Sequence, residues 1–237
     1  MWQTKIGTCI YVSPSGYRVY QNLFFRWLTL GSSALQTVIY RPCYQKPVLQ
    51  YLSALTLMAK TYPNPACLLG LGGAAVAQML SAQPLLAVDI SAEVIDIAKQ
   101  FFKADAITNL NIVQNNAIDF LRNNEVRFPH ILVDLYNANN YPQECATNEF
   151  FALSKMALAE EGFVSINLAN ISEQWPILRL IKNQFKSYVV IPVKKSANMV
   201  IIASKSDDKE WLVSKLKATG TIKKIVWDGV WGYVAEF

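Results

Sequence analysis

The sequence predicts an α/β fold: a mostly parallel sheet with helices on both faces, ending in an antiparallel hairpin, and preceded by a small β-rich unit. Three observations predict it. From Pro65 onward, short apolar runs alternate with helical stretches, the pattern of a parallel sheet whose crossovers are helices. Two late apolar runs, 187–193 and 199–203, are separated only by Lys194-Lys195-Ser196-Ala197-Asn198, which suits a hairpin and is too short for a crossover. The first forty residues instead place β-branched and aromatic runs around the turn residues Ser13-Pro14-Ser15-Gly16.

Taken in order, residues 5–12, 17–20, 23–30 and 35–40 read as strands of a small antiparallel unit. Pro42 and Pro47 punctuate the chain before a helix over 46–60. Strands follow at 66–70, 85–88, 110–113, 131–134 and 163–167, with helices at 74–81, 92–102, 117–123 and 147–158. Ser91 is placed to cap the helix that starts at Ala92. A further helix covers 207–218. The domain division expected is a β-rich unit at 1–45 and an α/β domain at 46–237.

Composition narrows the class. Of 237 residues, 52% are apolar and 16% charged, enough for a sizeable core and too apolar for a disordered chain. No apolar run reaches the length of a membrane span, and residues 23–30 are broken by Arg26. A cytoplasmic protein with no membrane partner is expected. Cys9, Cys43, Cys67 and Cys145 are far apart, so reduced and mostly buried thiols are expected rather than a disulfide framework. One histidine, His130, leaves few ligands for a metal, and its place before Ile131-Leu132-Val133 reads as strand entry. The net charge is +5, and the lysines of the last third are spread rather than clustered, so no nucleic-acid partner is expected.

Four strand ends carry polar or small residues. Gly70, Gly72 and Gly73 in Leu68-Leu69-Gly70-Leu71-Gly72-Gly73 form a tight turn that lets a ligand approach the backbone. Asp89 ends the next strand, followed by Ile90, where a carboxylate accepts two hydrogen bonds from a ribose diol. Asn116 and Ala117 open the helix after the third strand. Asn116 reads equally as a helix cap or as a reader of an adenine edge. Asp134 ends the fourth strand, where it holds a cationic amine or takes its proton. Tyr136 and Tyr141 follow in an Asn-rich stretch, and Tyr136 is expected to line an acceptor pocket. Phe150 and Phe151 sit at helical spacing and read as core.

The ordered set LLGLGGAAV, AVDISAEVIDIAKQFF, NNAIDFL, ILVDLYN and EFFALSKMALAEEGFVSINLAN resembles the spermidine synthase (polyamine aminopropyltransferase) family, as a divergent member. The stretch containing Gln36 and Tyr51 looks like that family's N-terminal β unit and following helix. The resemblance implies a class I S-adenosylmethionine-dependent methyltransferase-like Rossmann fold. It implies transfer of an aminopropyl group from decarboxylated S-adenosylmethionine to a small amine such as putrescine, without a metal, in a homodimer. Gln36, Gly70, Gly72, Gly73, Asp89, Ile90, Asn116 and Ala117 would bind the co-substrate, and Asp134 and Tyr136 would serve the acceptor. The chain departs from the family pattern at Gly73, Asn116 and Asn137, where acids are usual, and at Leu52, where a glutamine is usual. Those losses keep open an S-adenosylmethionine-dependent methyltransferase or a non-catalytic nucleoside-binding relative.

Overall fold

A computed structural model describes residues 4, 6–32, 34–137 and 140–237. Strands β1 (Thr8–Val12), β2 (Tyr17–Gln21), β3 (Phe25–Leu30) and β4 (Thr37–Tyr40) form an antiparallel sheet in the order 1-2-3-4. These are the four strands expected, although Lys5, which opened the first, lies outside the described residues. The helix expected at 46–60 is two shorter ones, α1 (Tyr51–Leu55) and α2 (Leu57–Thr61). Pro47 instead forms an isolated bridge with Ile39, which holds the preceding segment extended along the small sheet.

The second sheet is built from strand–helix units. In chain order these are β5 (Ala66–Leu69), α3 (Ala75–Met79), β6 (Leu85–Asp89), α4 (Ala92–Phe102), β7 (Leu110–Gln114), α5 (Ala117–Asn123), β8 (Phe128–Val133), α6 (Asn148–Ala157) and β9 (Leu158–Leu168). Then come α7 (Ile171–Gln184), β10 (Ser187–Pro192), β11 (Met199–Ser204), α8 (Lys209–Lys217), β12 (Lys224–Asp228) and β13 (Gly232–Glu236). The sheet runs β12-β13-β10-β11-β9-β8-β5-β6-β7. From β9 to β7 every pairing is parallel, while β11 pairs antiparallel with both β9 and β10. The predicted hairpin is therefore present, inserted beside β9.

Two features were not legible in advance. Helix α7 follows β9 and contains Pro176, whose missing N–H and ring weaken a helical reading. It forms because Ile177, Leu178 and Ile181 bury against the sheet. The C-terminal hairpin β12–β13 extends the sheet beyond β10, through a parallel β10–β13 pairing. Trp227 lies on this edge and is 64% exposed, whereas Trp231 packs edge-on against Trp175.

Local chemistry sets several boundaries. Ser91, Thr147 and Asp208 cap α4, α6 and α8 by accepting from the third residue beyond each. The central strands β10 and β11 are near-continuous Val/Ile runs because both faces of the sheet are covered. Phe150 and Phe151 are fully buried, as expected. His130 lies inside β8, where burial lowers its pKa while its Nε2 bonds the Tyr62 carbonyl at 2.7 Å. The cysteines divide evenly: Cys67 and Cys145 are buried, but Cys9 and Cys43 are exposed, because the latter two sit on the small sheet and its outgoing turn. Among the described residues, no helix is long and apolar enough to cross a membrane.

The small sheet is clamped onto the α/β layer. Val19, Leu28 and Ile39 pack with Ile97 and Phe102 of α4. At the tip of the first hairpin, Ser13 and Ser15 donate to the two oxygens of Glu93 at 2.7 and 3.0 Å. Arg26 donates to the Phe101 carbonyl. This packing holds β4 over the C-terminal edge of the parallel strands, where ligands of open α/β sheets bind.

Candidate active site

The parallel strands end level with one another. The N–H of Gly70 donates to Val88 O at 2.8 Å, that of Asp134 to Leu69 O at 2.9 Å, and that of Asn115 to Asp89 O at 3.0 Å. Over this edge lies a cavity of about 720 Å³ roofed by residues of the small sheet and of the segment after it. Gln36, Gly70, Gly72, Asp89, Ile90, Asn116, Ala117, Asp134 and Tyr136 all line it. Gly70 has φ +93°, and a Cβ there would lie 2.3 Å from the Asp134 carbonyl oxygen. Only glycine lets the β5 turn pass that close to the end of β8.

Asp89 organises the end of the cavity beside the glycine turn. Its Oδ2 accepts from the N–H groups of Leu71 and Gly72 at 2.9 and 3.4 Å, and its Oδ1 from Ser91 at 3.0 Å. Burial raises its pKa, and these three N–H donors oppose the shift. A carboxylate has about four acceptor sites, two on each oxygen, so Oδ1, with one partner, keeps capacity for a hydroxyl. Ile90, 62% exposed, adds an apolar wall beside it, fit for a flat base. Asn116 caps α5, its Oδ1 accepting from Ile118 at 2.8 Å. The cap uses the carbonyl oxygen, so the amide NH2 is what remains to meet a base.

Gly73 falls elsewhere. It is buried, its N–H donates to Thr37 Oγ1 at 2.8 Å, and it is absent from the cavity wall. A Cβ at 73 would lie 2.8 Å from Thr37 Cγ2. The threonine of β4 thus fills the space in which a side chain at 73 would begin.

Asp134 occupies the cavity floor. Tyr51 Oη donates to its Oδ2 at 2.9 Å, and Asn167 Nδ2 to its Oδ1 at 2.9 Å. Burial pushes the carboxyl up to about 6, against the pull of those two donors. Tyr51 in turn is raised well above an ordinary phenol by burial and by the charge and hydrogen bond of Asp134, so it stays a donor. Tyr136 Oη accepts from the Ala169 N–H, and its ring meets Tyr141 edge-on. Around the remaining wall stand Glu144, Cys145, Asn170 and Lys195. Cys145 is pushed up to about 12 by burial and remains a thiol. An acidic floor, a carboxylate open to a hydroxyl and apolar flanks together suit an amine beside an adenosine-like group.

Sequence reasoning overlooked Asn167, although the signal resembled the one that singled out Asp134: a polar residue near the end of an apolar strand. Tyr51 carried no local signal of its own, because a buried tyrosine on a helix reads as core until its hydroxyl is seen to meet Asp134. Thr37, Ser196 and Asn198 were likewise missed, since turns and strands distant in sequence bring them here.

Solved structures share this fold at low identity. A spermidine synthase in complex with the transition state analogue AdoDATO superposes with a TM-score of 0.70 at 17% identity, over 85% of this chain and 75% of that one. A probable spermidine synthase from Corynebacterium glutamicum gives 0.73 at 16% identity, over 98% and 91% of the two chains. Human methyltransferase-like protein 13 in complex with SAH gives 0.62 at 17% identity, over 77% of this chain and 96% of that one. No curated protein sequence matches the chain significantly. The family profile described as the spermine/spermidine synthase domain matches residues 51–211. That match takes in Tyr51, the glycine turn, Asp89, Asp134 and Asn167, and the chain belongs to the spermine/spermidine synthase domain family.

Proposed function

We propose that the chain is an aminopropyltransferase-like enzyme. It binds decarboxylated S-adenosylmethionine along Asp89, Ile90 and Asn116 and passes the aminopropyl group to a small amine held at Asp134. The observation that carries this reading is Asp134 itself: a carboxylate on the cavity floor, held by Tyr51 and Asn167, with its pKa raised to about 6. A general base with a pKa near the working pH is the most effective kind.

The chemistry needs little else. The amine must be neutral, since a protonated nitrogen has no lone pair. Asp134 draws the amine in and accepts the proton it loses. The nitrogen lone pair forms a bond to the methylene carbon beside the sulfonium, the carbon–sulfur bond breaks, and its electron pair stays on sulfur as a thioether. No covalent enzyme intermediate is required, so the protein acts by aligning nitrogen and carbon and by excluding water. Asp89 contributes by fixing the ribose, which sets where the sulfonium lies relative to Asp134.

A second reading is favoured by Thr37. Its contact with Gly73 leaves no carboxylate at the position where the family resemblance implies recognition of the aminopropyl amine. A site without that acid has less reason to prefer the decarboxylated co-substrate over S-adenosylmethionine, which would make the enzyme a methyltransferase. Calorimetric titration with decarboxylated S-adenosylmethionine, S-adenosylmethionine and methylthioadenosine separates these readings. Preference for the decarboxylated form, lost in Asp89→Ala, is expected. Preference for S-adenosylmethionine would replace the first reading by the second, and binding of none of the three would remove both.

A further inference from the structure

The turn between β10 and β11 reaches the cavity floor through a file of side chains. Ser196 Oγ donates to Asn198 Oδ1. Asn198 Nδ2 donates to Asn167 Oδ1 at 2.8 Å, and Asn167 Nδ2 donates to Asp134 Oδ1 at 2.9 Å. The direction of every bond follows from the last member. An ionised carboxylate has no proton to give, so Asn167 must turn its NH2 toward Asp134. Its carbonyl oxygen then faces Asn198, which must answer with its own NH2. The remaining oxygen of Asn198 receives the Ser196 hydroxyl. Reversing Asn198 alone would set two carbonyl oxygens against each other.

The frame around this file is firm. Asn167 is 2% exposed at the end of β9, where Val200 of β11 is its cross-strand partner. The Val193 N–H donates to Asn198 O at 3.0 Å, and the Asn198 N–H to Ser196 Oγ at 3.2 Å. From α7, Gln174 Nε2 donates to Ala197 O at 2.6 Å. The turn therefore has two anchors apart from Asp134, the Val193–Asn198 and Gln174–Ala197 bonds.

We propose that Asn198 is a positioning residue: it locks the Asn167 amide with its donors toward Asp134, and so sets how readily Asp134 acts as a base. This deepens the transferase reading and rests on it for the word base. Other charged or titratable groups also face the site. Tyr51 approaches from α1, and Tyr136 from the segment after β8. Asp89, Glu144 and Lys195 stand elsewhere on the cavity wall. Among the described residues, none of these makes an ion pair with Asp134, so Asn167 and Tyr51 are the groups that stabilise its charge.

The test is a 13C NMR titration of side-chain carboxyls in the full chain, with the Asp134 signal assigned by its loss in Asp134→Asn. Asn198→Leu keeps the shape of asparagine and removes its donor. The Asp134 pKa should rise by about one unit in that variant, because a free Asn167 amide no longer favours the charged form. Ser196→Ala, on the exposed side of the turn, should move it in the same direction by less. If Asn198→Leu does not fold, Ser196→Ala decides alone. An Asp134 pKa that is unchanged or lowered in the folded variants overturns the proposal. In turnover, the acid limb of kcat should shift upward by the same amount with the alkaline plateau retained. The titration needs no turnover, so a wild type inert toward every amine defeats the transferase reading and leaves this test standing. An unmoved Asp134 in an active enzyme defeats the positioning role alone.

Discussion

Thr37 Oγ1 accepts the backbone N–H of Gly73 at 2.8 Å, and the Thr37 methyl stands where a side chain at 73 would begin. One contact thus joins the small antiparallel sheet to the glycine turn of the large one. It ties the absence of a side chain at 73 to the presence of a threonine on β4.

That coupling is measurable. Gly73→Ala should destabilise the protein by about 1–3 kcal/mol, the usual cost of forcing a methyl into filled space. Most of that cost should vanish in a Thr37→Gly background, where Cβ, Cγ2 and Oγ1 are all gone. A double-mutant cycle by urea unfolding reads the coupling directly. Strictly additive costs would show that the two positions do not share the space.

Asp134 should make stability depend on pH in an unusual direction. Its folded pKa of about 6 lies above the ordinary carboxyl value of 3.8, so the folded state binds the proton more tightly than the unfolded chain. The contribution of Asp134 is therefore fully present below about pH 4 and is lost as pH rises through about 6. Asp134→Asn keeps the shape and removes the titration. The wild type should lose on the order of 2 kcal/mol relative to this variant between those limits. Parallel stability curves from pH 4 to 8 would refute the buried, raised carboxyl.

Tyr51→Phe removes the donor to Asp134 Oδ2 and leaves the ring packed in the core. Losing a hydrogen bond to a charged group disfavours the charged form, so the Asp134 pKa should climb further. In an active enzyme, the acid limb of the kcat profile would move to higher pH, and the affinity for methylthioadenosine would stay the same. A profile that does not move would mean that Tyr51 serves packing alone.

Tyr136→Phe removes an acceptor from the Ala169 N–H. The expected loss of stability is about 1 kcal/mol, typical of one hydrogen bond. If Tyr136 lines the acceptor pocket, Tyr136→Ala should raise the KM for the amine several-fold and leave nucleoside binding intact. Unchanged acceptor affinity in both variants would remove Tyr136 from the site.

Much of the frame could be read along the chain. Strand–helix alternation placed β5 to β9, and the short polar link between two apolar runs placed the β10–β11 hairpin. These are local signals, because periodicity and loop length act within a few residues. Helix α7 escaped because Pro176 weakens the helical pattern, while the apolar face that stabilises it is recognisable only against the sheet. The division of α1 from α2 at Thr56 escaped for a similar reason, since nothing in residues 46–60 marks the break.

The sequence by itself determined which strand ends carry small or polar groups: the glycine turn after β5, Asp89 after β6, Asn116 before α5 and Asp134 after β8. A parallel sheet puts successive C-terminal strand ends on one edge, so a list of residues along the chain becomes a row of groups. Tertiary structure alone decided their environment. It set Thr37 against Gly73, brought the Tyr51 hydroxyl to Asp134, and carried Asn198 through Asn167 to the same carboxylate. Each of these contacts joins residues far apart in sequence. Burial and hydrogen-bond geometry, which set the basicity of a carboxylate, exist only once such segments have packed.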